Sequence, residues 1–322
     1  MTITSPYRMV VADIDGTLLD SAATLRPRVR AAIERARQAG IVFTVATGRR
    51  YLTTLPVLES LAEPHGVPSL HAQDGERQTL RGVADLPPVV LQAGAMVVSA
   101  DGRQILYRDP MPGEDARRAI GALVKLGLQP IVYEDQVLEQ RLATGPTQFD
   151  SAGARRYFEG NRGLTLRLPY EELATGADPL QLAVIGERGP LEAAVPLLEL
   201  AHCRTIISYS EGLDSYFMEV FHHTCNKGRA VAQLAGQLGL EMAQTVCIGD
   251  NWNDVEMLAM AGCGLAVGNA APRIAPYARR LAPSNDEDAV AVIIEQILAG
   301  EEPGVENAAY IPSGSAGTGV GR

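Results

Sequence analysis

Asp13 and Asp15 stand one residue apart at the end of the apolar run Met9-Val10-Val11, in the order Asp13-Ile14-Asp15-Gly16-Thr17-Leu18-Leu19-Asp20. Paired carboxylates beyond a strand, followed by a glycine for a sharp turn, suit acid–base or metal chemistry, because ligands of open parallel sheets bind beyond the carboxyl ends of strands. The same residues also suit a strand that ends in an Asx–Gly turn. A second cluster, Val45-Ala46-Thr47-Gly48-Arg49, brings a hydroxyl and a glycine amide to a helix start, which is either a small anion cradle or a plain N-cap. A third, Asn226-Lys227-Gly228, puts a cation where the helix dipole disfavours it, a placement that a nearby anion would explain. The fourth, Ile248-Gly249-Asp250-Asn251-Trp252-Asn253-Asp254, gathers two carboxylates and two amides where a cap needs only one such residue.

The elements that must hold these residues follow from hydrophobic pattern. Arg8–Asp13 reads as a strand. Pro27–Ala39 reads as a helix, with Pro27 in its first turn, an apolar stripe of Val29, Ala32, Ile33 and Ala36, and Gly40 at its stop. Ile41–Ala46 has the low polarity of a parallel strand covered on both faces, and another helix starts near Arg50. After the middle of the chain come helix Lys227–Leu238, strand Thr245–Gly249, helix Asn253–Ala261, strand Gly264–Val267 and helix Ala289–Leu298. Both ends therefore read as an α/β, Rossmann-like doubly wound sheet. Between them strand-like pieces (104–108, 131–134, 164–168, 180–185, 205–208) alternate with helical ones (114–126, 190–202), which reads as an inserted α+β module. The expected division is 1–94 plus 206–300 for the core, 95–205 for the insert and 301–322 for a disordered tail. The tail is dominated by small residues, Gly and Pro and cannot bury enough to order itself, while 65–88, rich in polar residues, Gly and Pro, reads as a loose segment that is a lid, a partner surface or a disordered insertion.

All four clusters fall where strands run into loops or helices. In one pocket, Asp13, Asp15, Asp250 and Asp254 would repel one another, and Lys227 with a divalent cation is the natural compensation. Oxygen-only donors, with no His or Cys among them, favour Mg²⁺. The net charge of −10 argues against a nucleic-acid partner, which wants clustered Lys and Arg. The four cysteines, Cys203, Cys225, Cys247 and Cys263, form no C-x-x-C pair, so reduced thiols in a cytoplasmic protein are expected. No apolar run is long enough for a membrane span, and the start of the chain does not read as a signal peptide.

In these motifs the chain resembles the haloacid dehalogenase superfamily, and within it the Cof-type hydrolases. The resemblance rests on Asp13 to Leu18, Thr47, Lys227-Gly228, the run Gly249-Asp250-Asn251-Trp252-Asn253-Asp254-Val255-Glu256-Met257-Leu258, and Ala266-Val267-Gly268-Asn269-Ala270. It covers 1–60 and 205–298 well and the insert, or cap, in outline. It implies a phosphatase in which Asp13 is the nucleophile and Asp15 the general acid and base. Thr47, Gly48, Lys227 and Asn253 would hold the phosphate, with Asp254 in support. Mg²⁺ would be held by Asp13, the main-chain carbonyl of Asp15, and Asp250. The expected substrate is a small phosphorylated metabolite such as a sugar phosphate. The dehalogenase branch needs no second Asp, and the P-type ATPase branch has a Lys where Ile14 stands, so neither fits. A phosphomutase of the same superfamily, or a non-catalytic phosphate- or metal-binding protein, are the alternatives.

Two departures stand out. Related chains have Asn-Gly-Ala where this one has Ala93-Gly94-Ala95, and 65–88 is longer than expected. His222-His223 reads as a strand pair pointing to opposite faces, and Trp252 as packing around its loop.

Overall fold

The computed structural model describes residues 5–62, 82–133, 137–138, 141–146, 151–176, 178–210, 212–270 and 272–310. The chain forms two compact units, Met1–Tyr107 with Asn226–Arg322, and Arg108–Cys225. The boundaries thus lie later than 95 and 205 at both crossings. At the first, residues 89–107 pair among themselves: β3 (Val89–Leu91) runs antiparallel to β4 (Met96–Val98), and β5 (Ile105–Arg108) joins β4. At the second, the long hairpin of β10 (Cys203–Ser210) and β11 (Ser215–His222) pairs into the sheet of the inserted unit.

In the first unit, β1 (Met9–Ala12) lies between β2 (Val42–Val45) and β12 (Thr245–Gly249), parallel to both. Beyond β12 come β13 (Cys263–Ala266) and β14 (Arg280–Leu281), also parallel, then β15 (Val305–Glu306), antiparallel at the edge. The chain leaves β1 toward β2 on one side and returns through β12 on the other. The strand order therefore reverses beside β1, the crevice where open sheets bind ligands. Every residue of β1 and β12 is buried, as two covered faces require.

Met9, Val11 and Cys247 share a core with Ala230, Val231 and Leu234 of α6 (Lys227–Gln237) and Met257 and Leu258 of α7 (Val255–Met260). α1 (Pro27–Gln38) packs on α8 (Ala289–Ala299), each burying one apolar stripe. α2 (Tyr51–Ala62) follows β2.

The tail differs from expectation as far as Tyr310. Main-chain pairing sets Arg280 opposite Glu306 and Leu281 opposite Val305. The Arg280 guanidinium donates to the Pro303 and Gly304 carbonyls at 2.6 and 2.9 Å, and Asn307 Nδ2 to the Ala275 and Ala278 carbonyls at 2.7 and 2.8 Å. Hydrogen bonding to a preformed sheet edge orders a segment that apolar burial could not. In 65–88, Val83 is fully buried and Thr44 Oγ1 donates to the Pro88 carbonyl at 2.6 Å. Residues 65–81 and 311–322 lie outside the described residues.

The second unit is a sheet in the order β10-β11-β9-β6-β7-β8, where β6 is Ile131–Tyr133, β7 Leu142–Thr144, β8 Thr165–Arg167 and β9 Gln181–Gly186. Its pairs are antiparallel except β7 with β8. α3 (Gly113–Lys125) and α5 (Arg188–Leu200) bury Leu123, Leu191 and Leu198 against Val132, Leu182, Val184 and Val220. α4 (Ala152–Gly160) packs Ala154, Tyr157 and Phe158 with Tyr133, Ala183 and Ile185. His223 lies past the end of β11, and its ring meets His222 edge-on at 4.3 Å. The alternation of a strand does not extend to it. All four cysteines are buried thiols outside any disulfide. Among the described residues no helix is long and apolar enough to cross a membrane.

Candidate active site

Strand register brings three of the four sequence clusters to one edge of the core sheet. Ala12 pairs with Val45 on one side and with Ile248 on the other. The Asp13 amide donates to the Ile248 carbonyl at 3.0 Å, and the Ala46 amide to the Ala12 carbonyl at 3.0 Å. Asp13, Thr47 and Asp250 therefore leave neighbouring carboxyl ends side by side.

Lys227 comes from the start of α6. Asn226 caps that helix by accepting from the Arg229 amide at 2.8 Å, and the fully buried Lys227 ammonium donates to Asp13 Oδ1 and to Asp254 Oδ1, each at 2.6 Å. The anion that the unfavourable dipole position called for is thus a pair of carboxylates. Gly94 lets this helix start approach. A Cβ there would stand 2.3 Å from the Asn226 carbonyl oxygen, and its φ of +103° is one that L side chains rarely adopt. The neighbouring turn holds the second cluster: the Thr47 amide donates to the Val90 carbonyl at 2.9 Å, and the Ala93 amide to the Thr47 carbonyl at 3.0 Å.

Both oxygens of Asp254 are engaged. Beyond the Lys227 contact on Oδ1, its Oδ2 accepts from the Asp250 and Asn251 amides at 3.0 Å each. Asp250 receives the Thr17 hydroxyl on Oδ1 at 3.0 Å. Gly16, with φ +74°, permits this meeting, since a Cβ there would lie 2.7 Å from Asp250 Oδ2. Asn269 Nδ2 holds the Gly16 carbonyl at 2.8 Å, its Oδ1 accepts the Asn285 amide at 2.9 Å, and Asn285 Nδ2 donates to the Leu19 carbonyl at 2.9 Å. Trp252 packs edge-on against Tyr277, with ring centroids 5.7 Å apart.

Charge in this pocket is unbalanced. Burial, against the opposing pull of Lys227, and the nearby Asp254 and Asp250 carboxylates raise the Asp13 carboxyl well above its ordinary range. Burial and Asp254 push Asp250 up to about 6. Burial alone would lower Lys227, but Asp13 and Asp254 outweigh it and hold the ammonium above its usual value. Asp13, Asp250 and Asp254 offer carboxylate oxygens within 4.8 Å of one another. An all-oxygen set carrying more negative charge than one ammonium neutralises fits a hard divalent cation. Because both Asp254 oxygens are taken by Lys227 and two amides, Asp13 and Asp250 are the side chains suited to hold it.

Asp15 is placed differently. Its side chain is 60% exposed and turned to Arg49, whose Nε donates to Asp15 Oδ2 at 2.7 Å and whose Nη2 donates to Oδ1. The Thr47 hydroxyl accepts the Arg49 amide at 3.1 Å, so it does serve the turn before α2. Gly48 lies beside Asn253, 3.7 Å from its Nδ2 to the point where a Cβ would stand. Asn253 Oδ1 is buried with no hydrogen-bond partner among the described residues, which marks a place for a donor.

Sequence reasoning assigned no role to Thr17, Asn269 or Asn285. Thr17 and Asn269 lay inside the quoted motifs, which was the available signal. Asn285 lies outside those motifs.

A family model described as haloacid dehalogenase-like hydrolase matches residues 10–294. The chain is 27% identical over 312 residues to the putative phosphatase YxeH of Bacillus subtilis strain 168, covering 91% of this chain and 98% of that protein. It is 26% identical over 300 residues to the pyridoxal phosphate phosphatase YbhA of Escherichia coli strain K12, covering 89% and 97%. A solved haloacid dehalogenase-like hydrolase from Bacteroides thetaiotaomicron superposes with a TM-score of 0.66 at 22% identity, covering 90% of this chain and 99% of that one. The last likeness is one of fold.

Proposed function

The chain belongs to the haloacid dehalogenase-like hydrolase family and is a phosphatase, and from that premise we propose that it hydrolyses the phosphomonoester of a small metabolite through an aspartyl-phosphate on Asp13. The observation that carries this reading is the buried Asp13–Lys227–Asp254 chain, with Asp250 beside it, at the point where strand order reverses.

Asp13 is the nucleophile. One of its oxygens bonds to phosphorus as the bond from phosphorus to the leaving oxygen breaks, and Asp15 gives that oxygen its proton. The Asp15 carboxylate then takes a proton from water as the water oxygen bonds to phosphorus, and phosphate leaves with Asp13 restored. Lys227 and the Thr47 hydroxyl, with the Gly48 amide and Asn253, hold phosphoryl oxygens. Asp254 holds Lys227 by one oxygen and the Asp250 loop by the other. Mg²⁺, held by Asp13, the Asp15 main-chain carbonyl and Asp250, would neutralise charge between an anionic nucleophile and an anionic substrate. Cysteines outside any disulfide suit a reducing compartment, and we place the protein in the cytoplasm. The substrate class is a sugar phosphate or a related phosphorylated metabolite, of which the pyridoxal phosphate of the Escherichia coli relative is one.

Phosphate release from 4-nitrophenyl phosphate and from a panel of phosphorylated metabolites tests the reading, with Mg²⁺ and with chelator. We expect release to require Mg²⁺ and to fall at least about 10³-fold in Asp13→Asn. Phosphoryl transfer between sugar phosphates without net release would identify a mutase instead. Silence across the whole panel would leave a binding protein.

A further inference from the structure

Arg49 has no part in the reaction above, yet all three nitrogens of its guanidinium are engaged. Two of its guanidinium nitrogens, Nε and Nη2, engage the two oxygens of Asp15, the first at 2.7 Å. The third, Nη1, donates to the Thr53 carbonyl in the first turn of α2 at 3.1 Å. The backbone is held as well: its amide donates to Thr47 Oγ1 at 3.1 Å and its carbonyl accepts the Gln92 amide at 3.1 Å. A guanidinium pinned at its far edge and anchored at its Cα presents a fixed planar fork, and a carboxylate that fits it has one orientation.

Asp15 needs that help. It lies in a loop where its own φ and ψ are −80° and 123° and the next residue has φ +74°. The main chain there is clamped from Asn269 to the Gly16 carbonyl. Among the described residues the side chain has no such clamp apart from Arg49, and it is 60% exposed against 25% for Arg49. An ordinary exposed ion pair contributes little to stability, so the fork is better explained by orientation than by folding.

We infer that Arg49 is a positioning residue for Asp15, fixing the carboxyl in the rotamer from which it reaches the leaving oxygen and then the attacking water. Each carboxylate oxygen has two acceptor sites, so the fork leaves one on each to carry the proton. The inference rests on the assignment of Asp15 as acid and base. It adds that the acid's orientation comes from the turn after β2, the same turn that offers Thr47 to the phosphate. One short segment thereby sets both the phosphoryl group and the proton donor.

Leaving-group dependence separates this role from others. Phenyl phosphate needs a proton on its departing oxygen, whereas 4-nitrophenolate departs nearly unaided. With Mg²⁺ present, kcat and KM are measured on both esters for the wild type, Asp15→Asn, Arg49→Gln and Arg49→Lys, with melting curves to show that each variant is folded. We expect Arg49→Gln to lose about 10- to 100-fold in kcat/KM on phenyl phosphate and less than about threefold on 4-nitrophenyl phosphate, because kcat/KM reports the steps through leaving-group departure, whereas kcat also contains the water step common to both esters. Arg49→Lys keeps the charge but not the fork, and should follow Gln rather than the wild type. Equal losses of kcat/KM on both esters would make Arg49 a phosphate contact and overturn the inference. So would unchanged kinetics in both variants. If Asp15→Asn discriminates between the esters and the Arg49 variants do not, the positioning role alone fails. If Asp15→Asn does not discriminate, the acid assignment fails and this inference with it.

Discussion

Asp250 and Asp254 are four residues apart and both end in carboxylates, yet their surroundings give them opposite energetic roles. Asp254 is tied by an ammonium and two amides, so its charge is fully answered inside the protein. Asp250 accepts the Thr17 hydroxyl, but burial and then the neighbouring charge of Asp254 push its carboxyl up to about 6. At neutral pH without a cation, ionised Asp250 is therefore a strain on the fold. Asp250→Asn removes that charge while its side-chain oxygen still receives the Thr17 hydroxyl. We expect the variant, free of divalent cation at pH 7.5, to be about 1–3 kcal/mol more stable than the wild type by urea unfolding, and to lose most of its phosphatase activity. Stability bought back by neutralising a site residue is a trade seen at strained active sites. A destabilised variant would mean that Asp250 is held by contacts its charge does not set.

At the scale of elements, the approach of the residue 92–94 turn to the start of α6 sets where Lys227 enters the pocket. Gly94→Ala would place a methyl carbon 2.3 Å from the Asn226 carbonyl, in a backbone region unfavourable to alanine. We expect a loss of about 2–4 kcal/mol in stability, together with a fall in kcat larger than any rise in KM, because Lys227 is displaced from Asp13. Urea unfolding and steady-state kinetics check the two halves. Retained activity with reduced stability would show that α6 keeps its place without this contact. This turn also shows how far the sequence could be read. The strands that carry Asp13 and Asp250 were legible, because runs such as Met9–Val11 are apolar and end in paired acids. So was the need for an anion near Lys227, from its place in the first turn of a helix. The turn at Gln92–Gly94 was not: Gln92 and Ala93 adopt positive φ, and no proline, Asn or Asp marks them. The pairing of Arg49 with Asp15 was equally hidden, because it joins residues 34 apart in sequence and no local pattern encodes a contact between two loops. The ordered tail escaped for a related reason, since main-chain pairing to an existing sheet edge leaves little trace in composition.

The whole molecule carries a net charge of −10, and its pocket concentrates acidic groups in a buried place where water cannot screen them. That links global stability to pH and to divalent cation, with a sign that follows from Asp250. Its folded pKa of about 6 lies above its ordinary 3.8. Between these values the folded state binds more protons than the unfolded one, so stability falls as pH rises through that window. The contribution is fully present below about pH 4 and is gone above about pH 6, and a displacement of this size is worth about 3 kcal/mol. Asp13, raised in the same direction, adds to the effect. A cation bound by ionised carboxylates should return what is lost above pH 6 and add little where those groups are already protonated. We expect saturating Mg²⁺ to raise the melting temperature by about 5 °C or more at pH 7.5, given that about 1 kcal/mol corresponds to a few degrees in a domain of this size, and by less than half as much at pH 5. In Asp250→Asn the increment at pH 7.5 should shrink, because one of the carboxylates proposed to hold the ion is gone. Equal increments at both pH values would place the cation's stabilising contacts away from this carboxylate cluster, and scanning calorimetry on the intact chain distinguishes the two outcomes.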